Sequence, residues 1–347
     1  MDPEQPQMTQ LMSAPDPVVA GPPDAPRRRV SPSGGMDRVF RAVLRGAGLT
    51  VLALMVTVGV FLLIRGLSAF SVAGFGFFTT ETWQPDSKNF GIAAVLVGTL
   101  LIASVALVVA FPLALGMALY ISEYAPRRIK RALTSMIDLM AAVPSVVYGL
   151  FGSTLLQWQG TDIPRWLSIQ FGWIPFLSVP EADPDNPLSP NGVYMTSTFW
   201  AGLVVGFMIM PFICSVMRES FTQAPQGERE GAYALGSTRW GMIRSVVLPF
   251  GRSGMIGGTM LGLGRALGET IAVAMIISPV FVIQPHILGS GANSVSALIA
   301  QQWGSASPFG LGALMAAGLA LFTLTLVVNF AASAVIARSR SGQGSDA

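Results

Sequence analysis

Long apolar runs alternate along the chain with shorter polar intervals. Six runs, Ala47 to Ile64, Ile92 to Leu119, Met136 to Leu156, Phe199 to Val216, Met255 to Ile283 and Gly310 to Ile336, stand out. Each is near or above the roughly 18 residues needed to cross a hydrocarbon core. An isolated strand cannot satisfy its backbone in lipid, so each run predicts a helix. The second and fifth are long enough to predict tilt or extension past the bilayer. The expected fold class is therefore all-α, a polytopic membrane helical bundle of about six transmembrane helices. Residues 1–35 break the pattern. They are rich in Pro, Gly, Ser, Asp and Arg and predict a disordered tail. Arg27, Arg28 and Arg29 precede the first run by too far to read as an export signal, and no small-residue cleavage site follows. Residues 36–340 form the expected membrane domain, and 341–347 a short second tail.

The placement of charge orients the bundle. Arg27 to Arg45 precede the first run, Arg127, Arg128, Lys130 and Arg131 follow the second, and five arginines lie between Arg218 and Arg252. Arg338 and Arg340 follow the last run, whereas the alternate loops hold only Arg65, Lys88 and Arg165. Both termini are expected in the cytoplasm of a cell whose inner membrane the chain spans several times. The largest external segment, about 157–198, carries Trp158, Trp166, Trp173, Phe171 and Phe176 beside Asp162, Glu181, Asp183 and Asp185. It reads equally as an interfacial cap on the bundle or as a docking surface for an external partner.

Composition agrees with lipid as the main solvent. Of 347 residues 52% are hydrophobic and 11% charged, against about 25% charged in soluble domains. The single cysteine, Cys214, excludes an internal disulfide, and the single histidine, His286, excludes zinc clusters and histidine triads. Neither lysine, Lys88 or Lys130, follows a glycine, so no Walker A loop exists. The expectation is a non-catalytic chain that holds no cofactor, metal or nucleic acid. Any ATP and Mg²⁺ would belong to a separate ATPase subunit.

Two segments carry more specific information. The interval from Arg218 to Arg252 is too long for a plain connector and holds two amphipathic patterns split by Gly236, the second ended by Leu248-Pro249. Glu230-Gly231-Ala232, three residues, Gly236, nine residues, Val246, one residue and Leu248-Pro249 resembles the Glu-Ala-Ala loop of binding-protein-dependent ABC importer permeases. Gly231 and Val246 depart mildly from that pattern, and the spacing is intact. The resemblance implies short coupling helices that insert into an ATPase subunit. Glu230, Gly231, Ala232, Gly236, Arg239, Leu248 and Pro249 would carry that contact, with Glu228 and Arg229 as further polar anchors. The alternative is a helix pair lying flat on the membrane.

The fifth run places Arg265 and Glu269 near its middle. A charge at a helix centre costs about 2.5–3.5 kcal/mol on insertion scales, so such residues face protein or water and are paired or functional. At i and i+4 they share one face of a helix, and Gly254, Gly258 and Gly262 fall on it too. That stripe suits an interface that opens and closes around a substrate. A buried ion pair joining two helices would give the same pattern. Gly264-Arg265-Ala266, one residue, Gly268-Glu269-Thr270, one residue, Ala272-Val273 resembles the matching span of phosphate ABC importer permeases of the PstC type. Ala141 to Gly152 is similar to them as well.

The resemblance implies the type I (MetI-like) permease architecture. It also implies a sister permease (PstA-like), two ATPase subunits (PstB-like) and an external phosphate-binding protein (PstS-like). On this reading Arg265 meets the anion at midspan, Glu269 holds Arg265 when no anion is there, and Thr270, Ser145 and Tyr148 line the same path. Pro144, Pro112 and Pro211 each interrupt a run, and Pro144-Ser145 with Tyr148 reads either as a pathway element or as a packing kink. Asp138 reads as snorkelling to the cytoplasmic interface, and Cys214 and His286 as structural. Another oxyanion, such as sulfate, molybdate or phosphonate, is the competing cargo. A scaffold for phosphate signalling is the competing class. A membrane enzyme or ion-coupled carrier is disfavoured by the scarcity of intramembrane acids and the single charged run.

Overall fold

The computed structural model describes residues 35–156, 160–180 and 191–340. Of the tails expected over 1–35 and 341–347, all but Gly35 lies outside the described residues, as do Trp158 and the acidic part of the external segment at 181–190. The chain forms two compact units, one to Met55 and one from Val56. In the first, the opening part of α1 (Gly35–Ala73) presents nearly all its side chains outward, and Arg41 pairs with Asp37 one turn away at 2.6 Å.

The core of the second unit is the seam between α2 (Ala93–Leu119) and α6 (Thr198–Thr222). Lipid supplies little hydrophobic drive for one helix to leave it for another, so small residues and close packing hold such seams. Ala103, Ala106, Ala110, Ala114 and Ala118 recur at helical spacing on α2 and are fully or almost fully buried. Gly202 and Gly206 of α6 let the two backbones approach. A Cβ at Gly202 would sit 2.5 Å from the Val105 side chain, and one at Gly206 would sit 3.0 Å from the Ala106 carbonyl oxygen. Cys214 is fully buried in the same core. Pro112 and Pro211 lie inside these two continuous helices, so neither breaks its span as expected.

Among the described residues, four helices are long and apolar enough to cross a bilayer, within Met36–Phe78, Ala93–Tyr124, Thr198–Thr222 and Pro308–Ala331. The third and fifth expected spans differ from continuous helices. The third is α3 (Arg127–Ala142) followed by α4 (Ser145–Phe151), bent by 89° at Val143-Pro144, and it counts as a fifth span if the pair is taken as one. Pro144 has no N–H to continue the ladder and holds Val143 extended. The fifth run divides into α10 (Arg252–Gly268) and α11 (Ile271–Ile276), each shorter than a full crossing.

Between the spans lie α5 (Asp162–Phe171), between α4 and α6, and α7 (Gln226–Ala234), α8 (Arg239–Met242) and α9 (Leu248–Phe250), between α6 and α10. Trp166, Trp173 and Phe176 in and after α5 are exposed. A short antiparallel pair, β1 (Trp83–Gln84) and β2 (Asn89–Phe90), packs an aromatic cluster with Phe77 and Phe309. α12 (Val295–Gln302) and α13 (Pro308–Arg340) complete the bundle. His286 is structural: its Nδ1 lies 2.9 Å from the Pro175 carbonyl oxygen and 3.1 Å from the Ser178 hydroxyl.

Candidate functional site

The break between α10 and α11 decides where the midspan charges go. Helical dihedrals end at Gly268, and Glu269 is extended at φ −66°, ψ 126°. Its buried carboxylate turns forward and accepts the Ala272 N–H at 3.3 Å, capping the start of α11. Its carbonyl accepts the Ser296 hydroxyl at 2.7 Å. The expectation that Glu269 holds Arg265 across one helical turn is therefore corrected: no ion pair joins them among the described residues. The i, i+4 rule applies only while the helix continues.

Arg265 is exposed, and its guanidinium stacks over Phe212 of α6, with 4.3 Å from Cζ to the ring centroid. It lines a cavity of about 600 Å³ with Phe212, Leu261, Gly264, Thr325 and Asn329. The glycine stripe is separate from this cavity. Gly254, Gly258 and Gly262 pack on Ser220, Val216 and Ile213 of α6, so they make a fixed intrachain seam and not the opening face expected. A second cavity of about 560 Å³, between the end of α6 and the start of α10, is lined by Ser215, Glu219, Ser220, Gln223 and Ser253.

The broken helix α3–α4 meets the broken helix α10–α11. Gly149 of α4 lies against Ala272 and Met275, with 3.0 Å between an added Cβ and the Ala272 Cα. Tyr148 of α4 is half-buried beside this junction. Its hydroxyl donates to the Met140 carbonyl at 3.0 Å, the carbonyl that Pro144 leaves without its helical donor. That contact belongs to the kink reading. Ser145 opens α4, half-buried, and Thr270 donates its hydroxyl to the Gly268 carbonyl at 3.1 Å. Asn329 and Phe212 were missed from sequence. The only signal for Asn329 was a lone amide inside the apolar final run.

The loop between α6 and α10 forms α7 and a second helical stretch in which α8 passes through a π turn, Ile243–Val247, into α9; Leu248-Pro249 therefore lies within that stretch and does not end it as expected. α7 ends in a Schellman turn: Ser237 N–H reaches the Ala232 carbonyl at 3.0 Å and Gly236 N–H reaches that of Tyr233 at 2.9 Å. Gly236 has φ +82°, which explains glycine there. An added Cβ at Gly231 meets nothing within 4 Å, so alanine would fit equally. Thr238 caps α8 by accepting the Gly241 N–H at 3.2 Å. Glu230, Tyr233, Leu235 and Trp240 are exposed, Ala232 and Leu248 are half-buried, and Pro249 lies in the first turn of α9. Arg229 pairs with Glu123 at 2.9 Å, and Arg239 lies 5.1 Å from the Tyr124 ring centroid.

Residues 110–341 match the family described as binding-protein-dependent transport system inner membrane component. The chain is 38% identical over 303 residues to the phosphate transport system permease protein PstC 2 of Mycobacterium tuberculosis, covering 86% of this chain and 91% of that protein. It is 36% identical over 309 residues to the phosphate transport system permease protein PstC of Xylella fastidiosa, covering 89% and 93%. In fold it is similar to a chain from the crystal structure of a bacterial ABC transporter involved in the import of the acidic polysaccharide alginate. That match has a TM-score of 0.53 and 18% identity, covering 87% of this chain and 99% of the other.

Proposed function

The chain belongs to the family of binding-protein-dependent transport system inner membrane components, and from that premise we propose that it is the permease subunit of an ABC importer carrying inorganic phosphate across the cytoplasmic membrane. It is a multi-pass inner-membrane protein without catalysis of its own, and ATP is hydrolysed by a separate subunit. Such an importer also needs a substrate-binding partner. The finer assignment is a PstA-like sister permease, two PstB-like ATPases and a PstS-like external phosphate-binding protein. ATP and Mg²⁺ are held by the ATPases, none by this chain, and both termini face the cytoplasm, as the arginine bias favours.

One observation carries the cargo reading: an arginine without a carboxylate partner among the described residues lines a cavity beside a broken helix. Phosphate carries about one to two negative charges near neutral pH. The planar guanidinium fork suits an oxyanion, and Phe212 holds it in place without neutralising it. Asn329 and Thr325 add neutral polar groups that bind without trapping. The exposed rim of α7 and α8, with Leu235 89% exposed, is the surface offered to the ATPase.

The test is uptake of labelled phosphate, sulfate and molybdate by cells lacking the chain and any redundant importer, with the wild type or Arg265→Leu restored. Loss of phosphate uptake alone, recovered only by the wild type, is the expected result. Loss of another oxyanion instead would replace the cargo and keep the permease. No change in any of the three would leave the scaffold reading.

A further inference from the structure

Glu123 lies just past the end of α2, in a single π-helical turn, Tyr120–Tyr124. Its side chain is 5% exposed and meets Arg229, 20% exposed, at 2.9 Å across 106 positions of sequence. The second Arg229 nitrogen, Nη2, donates to the Phe221 carbonyl in the last turn of α6 at 2.6 Å. One guanidinium thus joins three elements: the end of α2, the end of α6 and helix α7, of which it is a part. Arg239 over the Tyr124 ring adds a second tie between the same loop and the same π turn.

The pair is a poor device for stability alone. Glu123 Oε1 and Arg229 Nε are buried without a hydrogen bond among the described residues. A buried, half-bonded ion pair recovers little more than its desolvation cost, and an apolar pair of similar volume often does as well. What it supplies is a fixed junction. From it, the α2–α6 seam runs the length of both helices through the alanine and glycine contacts already described. α6 then grips α10 at Gly254, Gly258 and Gly262, and α10 carries Arg265. A contiguous packed path therefore leads from α7 to the midspan arginine.

We propose that Glu123 and Arg229 form the positioning joint that makes the cytoplasmic loop, α2 and α6 move as one body. Motion imposed on α7 by the ATPase then reaches Arg265 without being absorbed at the loop. The inference rests on the importer reading above. It assigns Glu123, which touches neither cargo nor ATP, a part in coupling.

The measurement is the number of phosphates moved per ATP hydrolysed by the complete complex in proteoliposomes. Glu123→Ala and Glu123→Gln are compared with the wild type and with the double exchange Glu123→Arg plus Arg229→Glu. Glu123→Ala leaves Arg229 without its carboxylate and should lower the yield of complex; per assembled complex, the joint predicts sustained hydrolysis and a ratio lowered about tenfold. Glu123→Gln, which keeps a hydrogen-bond acceptor, should fall between. The double exchange should recover more of the ratio than either reversal alone. An unchanged ratio, or transport and hydrolysis falling in proportion, overturns the proposal. If the wild-type complex moves sulfate and not phosphate, the cargo reading fails instead, and the same ratio read on sulfate still decides the joint.

Discussion

Arg229 and Arg265 occupy two regions that treat the same side chain in opposite ways. At the junction of α2, α6 and α7, Arg229 is largely enclosed, paired with Glu123 and bonded to the Phe221 carbonyl. At the midspan break Arg265 is exposed, and Phe212 supports it without an opposing charge. The first guanidinium is consumed by the fold. The second has no ion-pair partner among the described residues, because Glu269, which a continuous helix would set on its face, turns forward to the start of α11. An arginine's partners, more than its depth, separate a joint from a binding group.

The sharpest way to break this contrast is to remove each arginine in turn. Arg229→Leu leaves Glu123 buried and unpaired, so a stability loss of about 3–5 kcal/mol is expected. It would appear as reduced accumulation and a lower melting temperature in detergent. Arg265→Leu should accumulate normally yet lose about 100-fold in phosphate uptake, the loss of charge-assisted bonds to the anion. Equal destabilisation by both would erase the distinction. A smaller effect is expected at the rim of the midspan cavity. Asn329→Leu should lower uptake about three- to tenfold with unchanged stability, the loss of one or two neutral hydrogen bonds. Normal uptake at limiting phosphate would remove Asn329 from the path. The smallest change is expected from Tyr148→Phe, which removes the side-chain donor from the Met140 carbonyl and leaves it the Val143 N–H at 3.3 Å. It should cost about 1 kcal/mol in thermal unfolding and leave uptake per folded molecule unchanged. A selective uptake defect would return Tyr148 to the pathway.

The helical bundle, the helical character of the loop between α6 and α10, and the charge of Arg265 inside an apolar run were legible in sequence because each follows from local pattern; the coupling role of that loop was only what the family resemblance implies. Gly236 could be placed at a helix end for the same reason. The fate of Glu269 was not legible, since counting helical periods past Gly268 assumes a helix that ends there. Pro144 read as a pathway element or a kink, but only the fold shows that the Tyr148 hydroxyl joins the Val143 N–H on the Met140 carbonyl. The fold also shows a second broken helix packed on the first, where the sequence displayed a single charged run. Glu123 read as an ordinary loop acid because its partner lies 106 positions away. Asn329 met its cavity only through α13 packing near α10.

The glycines that let α10 settle on α6 also bear on how the chain is made. A 17-residue segment with arginines at both ends and several glycines between is a weak signal for a translocon that judges each stretch by its own apolarity. α6, apolar and already synthesised, offers the surface that α10 needs. Membrane insertion of α10 should then be cooperative, failing in chains truncated to lack α6 and succeeding when it is present, as glycosylation tags placed after α11 would report. A helix specialised for close contact in the finished protein thus depends on a neighbour from the moment of its birth.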